Sequence, residues 1–292
     1  MMNRNFLDDN GLSQEEFLKN YNPGDYERPS CTVDMLLFTV SDKYEKLNSD
    51  KVLKILLIKR KAHPYANQWA IPGGFVDMNE NIEESVYREL EEETNIKDNV
   101  YFEQLYTWGA VDRDPRTRVI STSFMALADS NNLSPKAGDD AKEVQWFCID
   151  RIVCEKSNDK EVYIIKLKGE DDGTEIGYKV TKTYYFNGRI RTPKYDAVDL
   201  ELSNSLAFDH YKLINKALDV LRDKIKYTPI VFNIVPEFFT ISELQKTCEA
   251  IIGEKYIPNN FRRDMKKFLL KTDKKKDTLR RKATLYKFNP YY

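Results

Sequence analysis

Apolar and polar positions alternate along this chain in two distinct rhythms. CTVDMLLFTV (31–40) and VLKILLIKR (52–60) are near-continuous runs of Val, Leu and Ile, the pattern of strands buried on both faces. The polar stretch between them, SDKYEKLNSDK, reads as a hairpin loop. WAIPGGFVD follows as a strand, a Pro-Gly-Gly turn and a strand entry. Residues 80–94 then change to helical spacing, with Ile82, Val86 and Leu90 set among glutamates. VYFEQLYTWGAV, RVISTSFMAL and EVQWFCI return to strand patterns. Strands surrounding one helix, with further helices later, predict a mixed α+β domain over 31–154. An N-terminal extension over 1–30 precedes it, where Ser13 and Glu16 make a capping box for a short helix, LSQEEFLKNY.

The second half has a different grammar. KEVYIIKLKG and GYKVTKTYYFNG flank the turn EDDGTEI and predict a β-hairpin-like insertion over 155–204, with no chemical motif in it. Leu206, Leu213, Ile214, Ala217, Leu218 and Leu221 recur at helical spacing and predict a linking helix over 205–228. From 229 to 292 the order is a helix, SELQKTCEAIIG, capped by Ser242 and closed by Gly253, then a second helix, NNFRRDMKKFLL, and a closing strand, RRKATLYKFN. That is the order of a winged helix-turn-helix.

Composition narrows the function classes. A length of 292 residues suggests two domains, and 41% hydrophobic with 12% aromatic residues excludes wholesale disorder. No apolar run approaches the ~20 residues of a membrane span, and the N-terminus lacks the apolar core of a secretory signal. Cys31, Cys148, Cys154 and Cys248 lie far apart without a CxxC pair. They read as reduced thiols of a cytoplasmic protein rather than a disulfide frame or a zinc site. His63, before Pro64, and His210, on the linking helix, both read as structural. A net charge of −1 says little until it is divided by position. From Lys255 onward 13 basic residues face three acids, giving +10 for the last 38 residues and −11 for the rest. Because Phe261, Phe268, Leu269, Leu285 and Tyr286 interleave the charges, this is a folded basic module suited to a polyanion.

The strongest chemical signal is GFVDMNENIEESVYRELEEETNI, Gly74 to Ile96. Glu89, Glu92 and Glu93 stand at i, i+3 and i+4, so one helix face carries three carboxylates. Such a face repels itself, and a hard divalent cation with oxygen ligands relieves the repulsion. The cation can then bridge to a diphosphate and activate a water. Arg88 points sideways and can pair with Glu80, clamping the preceding loop to the helix.

Gly74, Glu80, Arg88-Glu89-Leu90, Glu92-Glu93 and Ile96 together resemble the Nudix box of the Nudix hydrolases. Only the last glycine of that pattern differs, being Asn95. A residue just past a helix end must accept a left-handed backbone, which Asn tolerates next best after Gly, so the change removes no ligand. The resemblance implies an α/β/α sandwich with a mixed sheet and a site built from Glu80, Arg88, Glu89, Glu92 and Glu93 with Gly73 and Gly74. It also implies Mg²⁺ (or Mn²⁺) on Glu89, Glu92 and Glu93. TWGAVDRDPRTRVISTSFMAL and AGDDAKEVQWF resemble the ADP-ribose-directed branch. In that reading Arg113, Arg116 and Arg118 reach a phosphate or ribose, since guanidinium binds phosphate oxygens bidentately. Trp69, Trp108 and Phe75 are stacking candidates with core packing as the competing role. A late-loop acid of the kind such enzymes recruit would be Asp139, Asp140 or Glu143, which sequence does not rank.

LAFDHYKLINKALDVLR, FTISELQKTCEAIIGEKYIPNNFRRDM and RRKATLYKF are similar to the C-terminal part of Nudix-related transcriptional regulators of NAD metabolism. That resemblance implies a homodimer on double-stranded DNA. Asn260, Arg262, Arg263, Lys266 and Lys267 would then lie on the second helix, and Arg280, Arg281 and Lys282 on the wing. Two readings follow. The first is a Mg²⁺-dependent hydrolase of a nucleoside diphosphate derivative, ADP-ribose foremost. The second is a DNA-binding regulator whose cavity senses ADP-ribose or a sugar nucleotide. The nearly complete box places hydrolysis first.

Overall fold

A computed structural model describes residues 7–42, 50–97, 100–138, 141–277 and 282–292. Most of the predicted SDKYEKLNSDK loop lies outside them, as do Asp139, Asp140, Arg280 and Arg281. After α1 (Gln14–Asn20) come β1 (Ser30–Asp42), β2 (Lys51–Arg60), the two-residue β3 (Trp69–Ala70) and α2 (Ile82–Thr94). Then follow β4 (Tyr101–Trp108), β5 (Val119–Leu127), β6 (Ala141–Lys156), β7 (Lys160–Gly169), β8 (Glu175–Asn187) and β9 (Ile190–Asp199). The chain continues through α3 (His210–Tyr227), α4 (Ile241–Ile252) and α5 (Pro258–Met265) to β10 (Leu269–Asp277) and β11 (Lys282–Phe288).

The main sheet has the order β4-β5-β1-β2-β6-β7-β8-β9, with β3 paired to β2. β1 and β5 run parallel while β1 and β2 run antiparallel, so the sheet is mixed as expected. Both its faces are covered. Along β1, Leu36, Phe38 and Val40 point into one core with Leu213, Leu218 and Leu221 of α3. Val33, Met35 and Leu37 point into the other with Val86 and Leu90 of α2. This double burial explains why β1 reads as a near-continuous apolar run, interrupted by the buried polar Asp34 and Thr39. Truncating Leu90 to Ala would remove about 2–5 kcal/mol by cavity formation.

The predicted hairpin at 155–204 forms between β7 and β8, yet it is not a separate insertion. β7 pairs along β6 and β9 pairs along β8, so three strands extend the same sheet. Tyr163, Ile165 and Val180 of this extension are buried against α3. Asp219 of α3 locks it, accepting from Arg151 (2.8 Å), Lys182 (2.9 Å) and the Tyr195 hydroxyl (2.5 Å). β9 left no signature in the sequence because its alternate residues are charged or polar and half exposed.

In the C-terminal module the cap of α4 is Thr240, not Ser242. Thr240 Oγ1 accepts from Glu243 N and the Glu243 carboxylate accepts from Thr240 N, so the box begins two residues earlier. α5 ends at Met265 rather than running to Leu270: Lys266–Phe268 tighten into a 3-10 turn and Leu269 enters β10, paired with Phe288 of β11. α4 buries Leu244, Cys248 and Ile251 in the core shared with β1 and α3, so this module sits directly on the sheet. Among the described residues no helix is long and apolar enough to cross a membrane. All four cysteines are free thiols.

Candidate functional site

The site begins where the Pro-Gly-Gly turn passes between β1 and α2. Met35 N donates to Pro72 O at 2.8 Å and Val33 N to Gly74 O at 2.9 Å, drawing the turn against β1. A Cβ on Gly73 would run into the Val33 carbonyl, and one on Gly74 into the Glu89 carboxylate. At Gly73 the obstacle is backbone, so only glycine permits that approach, whereas a side chain at 74 would displace the Glu89 carboxylate. With the turn in place, Gly73 N donates to Glu93 Oε2 at 2.7 Å.

Arg88 reaches back from α2 to the loop before it: Nε donates to Glu80 Oε2 at 3.0 Å and Nη2 to Glu80 Oε1 at 2.6 Å. Nη2 also donates to the Phe75 carbonyl at 2.8 Å, so the loop is clamped at two points. Hydrogen bonding from Arg88 holds the Glu80 carboxyl down at about 2. Nη1 turns the other way, donating to Glu89 at 2.7 Å and to Glu92 at 3.1 Å. Burial pushes the Glu89 carboxyl above its ordinary range, and Arg88 opposes that push. α2 ends at Asn95 with φ 58°, the left-handed cap for which the box pattern has glycine.

Glu89, Glu92, Glu93, Gly73 and Gly74 line one side of a cavity of about 460 Å³. The glutamate carboxylate oxygens suit a hard divalent cation, which would offset the burial that raises the half-buried Glu89 carboxyl. Among the described residues no three His, Cys, Asp or Glu side chains are gathered about a single point. Arg88 instead stands between Glu89 and Glu92, and Glu93 holds the glycine turn.

The opposite wall carries Arg113, Asp114 and Arg116. Arg116 is held bidentately by Asp114, at 3.0 and 2.7 Å, and its guanidinium lies 5.2 Å from the Phe75 ring centre and 5.8 Å from that of Phe208. Burial raises the Asp114 carboxyl, but hydrogen bonds from Arg116 more than reverse this and leave it lowered. Arg113 is buried, donating to Asp209 Oδ1 at 2.9 Å with Asp34 Oδ2 at 3.7 Å. Arg118 is not among the residues lining the cavity and donates to the carbonyls of Gly109, Ala110 and Val119, which fastens the loop. Of the aromatic candidates, Phe75 is 43% exposed and lines the cavity, whereas Trp69 is sealed in the core against Phe147 and Trp108 donates to Ser123. Glu143 is away from the cavity, paired with Lys59 at 3.2 Å.

Sequence reasoning missed Asp34, Arg60, Phe208 and His210, all in the cavity wall. His210, read as structural, does hold structure: its Nδ1 accepts from Ile71 N at 2.9 Å, and burial lowers its pKa to about 3. It also faces Asp34, 3.6 Å away, at the cavity floor. No local spacing could reveal this, since the contact joins residues 139 apart.

At the far end of the chain, α5 buries Phe261 and exposes Asn260, Arg262, Arg263, Lys266 and Lys267 at its surface and in the turn after it. Among the described residues Arg263 pairs with its neighbour Asp264, at 3.0 Å on an exposed face. β10 adds Lys271 and Lys275, exposed on the wing, while Lys276 is held by Glu243 at 2.5 Å.

Comparison with known proteins follows this division. Residues 46–167 match the NUDIX domain, and residues 231–288 match the NrtR DNA-binding winged helix domain. Over 283 residues the chain is 28% identical to the ADPR responsive transcriptional repressor NtrR of Acinetobacter baylyi, covering 96% of this chain and 90% of that protein. A MutT/nudix family protein from Enterococcus faecalis superposes with a TM-score of 0.69 at 32% identity, covering 95% of this chain and 94% of the other. Shewanella oneidensis NrtR, in a crystal with a 27mer DNA, superposes with a TM-score of 0.59 at 26% identity over 89% of this chain and 94% of its own.

Proposed function

Since this chain belongs to the MutT/Nudix family and ends in a winged helix of the NrtR type, we propose that it is a DNA-binding regulator whose Nudix cavity senses ADP-ribose. The observation that carries this reading is the course of α3. Phe208 and His210, at its start, line the cavity, and Arg222, three turns later, donates through Nε to the Ile251 carbonyl of α4 at 3.0 Å. One rigid element therefore touches both the ligand wall and the helix that carries α5. A ligand that binds one arrangement of this helix better than another shifts DNA affinity by that difference and no more. The likeness to a repressor along nearly the whole chain supports the same reading and reverses the order taken from the box alone.

ADP-ribose suits the cavity on chemical grounds. Arg116 offers a guanidinium to a phosphate, Phe75 and Phe208 offer rings to a base, and about 460 Å³ accommodates a nucleotide-sized ligand. The basic face of α5 and β10 suits phosphate contacts on double-stranded DNA, and a cytoplasmic homodimer is part of the same proposal.

A second reading, hydrolysis of the bound diphosphate, is favoured by two features: the clamp of Arg88 on Glu80 and the Gly73–Glu93 bond are both intact. Mg²⁺ or Mn²⁺ would be held by Glu89, Glu92 and Glu93, and when bound supplies charge neutralisation and water activation. The two readings separate by mutation. Glu93→Gln should remove any turnover of ADP-ribose, by at least about a hundredfold, and leave DNA affinity unchanged. Turnover that survives in this variant rules out Glu93 as a participant.

A further inference from the structure

The turn of α3 that follows His210 lines a second cavity, of about 410 Å³. Its walls are aromatic, with Tyr106 and Trp108 from β4, Tyr185 from β8, Tyr195 from β9 and Tyr211 from α3. Lys194, Lys212 and Lys216 also line it, and no carboxylate does. Lys216 Nζ lies 5.6 Å from the Tyr106 ring centre and Lys212 Nζ 5.7 Å from that of Tyr211, and neither is ion-paired among the described residues. Lys182, close by on β8, shows the contrast, being neutralised by Asp219. The fold thus matches its deeper cations with an acid and leaves those around this cavity without one.

The floor holds a further polar group. Asn215 is 3% exposed, and its Oδ1 accepts from the Tyr163 hydroxyl at 2.5 Å. Its amide nitrogen has no hydrogen-bond partner among the described residues, and it is not among the side-chain atoms sealed from solvent without one. It therefore opens onto the cavity that Asn215 lines. An amide N–H open to the cavity is free to donate to an acceptor on a ligand there.

We propose that this cavity is a second ligand site, for a planar aromatic or heteroaromatic ring that bears an anionic group. The tyrosines and Trp108 supply ring faces and edges. The lysines supply the counter-charge for a carboxylate or phosphate. The Asn215 amide supplies a donor for a ring or carboxyl acceptor, and the volume lies within the range of small-molecule sites. Absence of acid from the lining argues against a cationic ligand. The site stands on this cavity alone and does not depend on what the Nudix cavity binds.

The test is calorimetric titration of the full chain with 2-naphthoate, with adenosine 5′-monophosphate and with inorganic phosphate. The same titrations are run on a Lys194→Glu/Lys216→Glu variant and on Arg116→Ala, which alters the first cavity only. The expected result is saturable binding of 2-naphthoate, or of the nucleotide with the first cavity already saturated by ADP-ribose, weakened roughly tenfold or more by the lysine pair, with 2-naphthoate binding unchanged by Arg116→Ala. Whichever probe binds more tightly identifies a carboxylate or a nucleotide phosphate as the anion. The proposal is overturned if neither ring-bearing probe binds, if the lysine pair has no effect, if Arg116→Ala abolishes binding instead, or if inorganic phosphate binds as well as the rings.

Discussion

Arg113 Nη2 donates to Asp209 Oδ1 at 2.9 Å, joining residues 96 apart in the chain and tying the cavity wall to the N-cap of α3. Both side chains are nearly solvent-free, and Asp34 lies on the same guanidinium at 3.7 Å. Removing the cation would strand two buried carboxyls, one of which, Asp34, burial already pushes above its ordinary pKa. Arg113→Ala should therefore cost about 3–5 kcal/mol of stability, read from urea unfolding. A midpoint equal to that of the wild type would show that the pair does not hold the wall.

His210 gives a pH dependence with a definite sign. Burial lowers its folded pKa to about 3, below the ordinary histidine value of about 6.5, so the unfolded chain takes up the proton first. The stability this residue contributes is complete above about pH 6.5 and declines, by up to about 1.4 kcal/mol per pH unit, as pH falls towards about 3. Because Nδ1 accepts from Ile71 N, the ring proton belongs on Nε2. Imidazole ¹⁵N spectra at pH 5 should show a neutral Nε2–H ring. A charged ring at that pH would contradict the buried placement.

The basic face of α5 predicts a salt effect. Arg262 and Arg263 are exposed, and the exposed Arg263–Asp264 pair contributes little to folding, so Arg262→Ala/Arg263→Ala should leave thermal unfolding nearly unchanged. If both guanidinium groups meet DNA phosphates, the slope of log affinity against log salt should become shallower by about 2. An unchanged slope would place DNA contact elsewhere on the module.

Much of the first domain was legible because its signals are local. The capping box at Ser13, the clamp from Arg88 to Glu80 and the left-handed cap at Asn95 each depend on residues within one or two helical turns or a short loop. β1 and β2 announced their burial through composition alone. What sequence did not show depends on distant partners. β9 is a polar edge strand whose place is fixed by β8 and by Tyr195 on Asp219. Arg118 resembled a ligand by type and donates to backbone carbonyls, while Phe208 and His210 line the cavity from a segment far along the chain. Residue type proposes a role, and tertiary neighbours decide whether the group is free for it.

The central claim, that the Nudix cavity controls DNA binding through α3, is tested most directly by DNA affinity as a function of ADP-ribose. Duplexes selected by the full chain from a random library, labelled and followed by fluorescence anisotropy, supply the DNA probe. Saturating ADP-ribose should change the affinity by about 5–150-fold, the usual span of coupling between two sites. Arg116→Ala should abolish that change without altering affinity in the absence of ligand. An affinity that stays the same at every ADP-ribose concentration, for DNA that the chain does bind, would contradict the account.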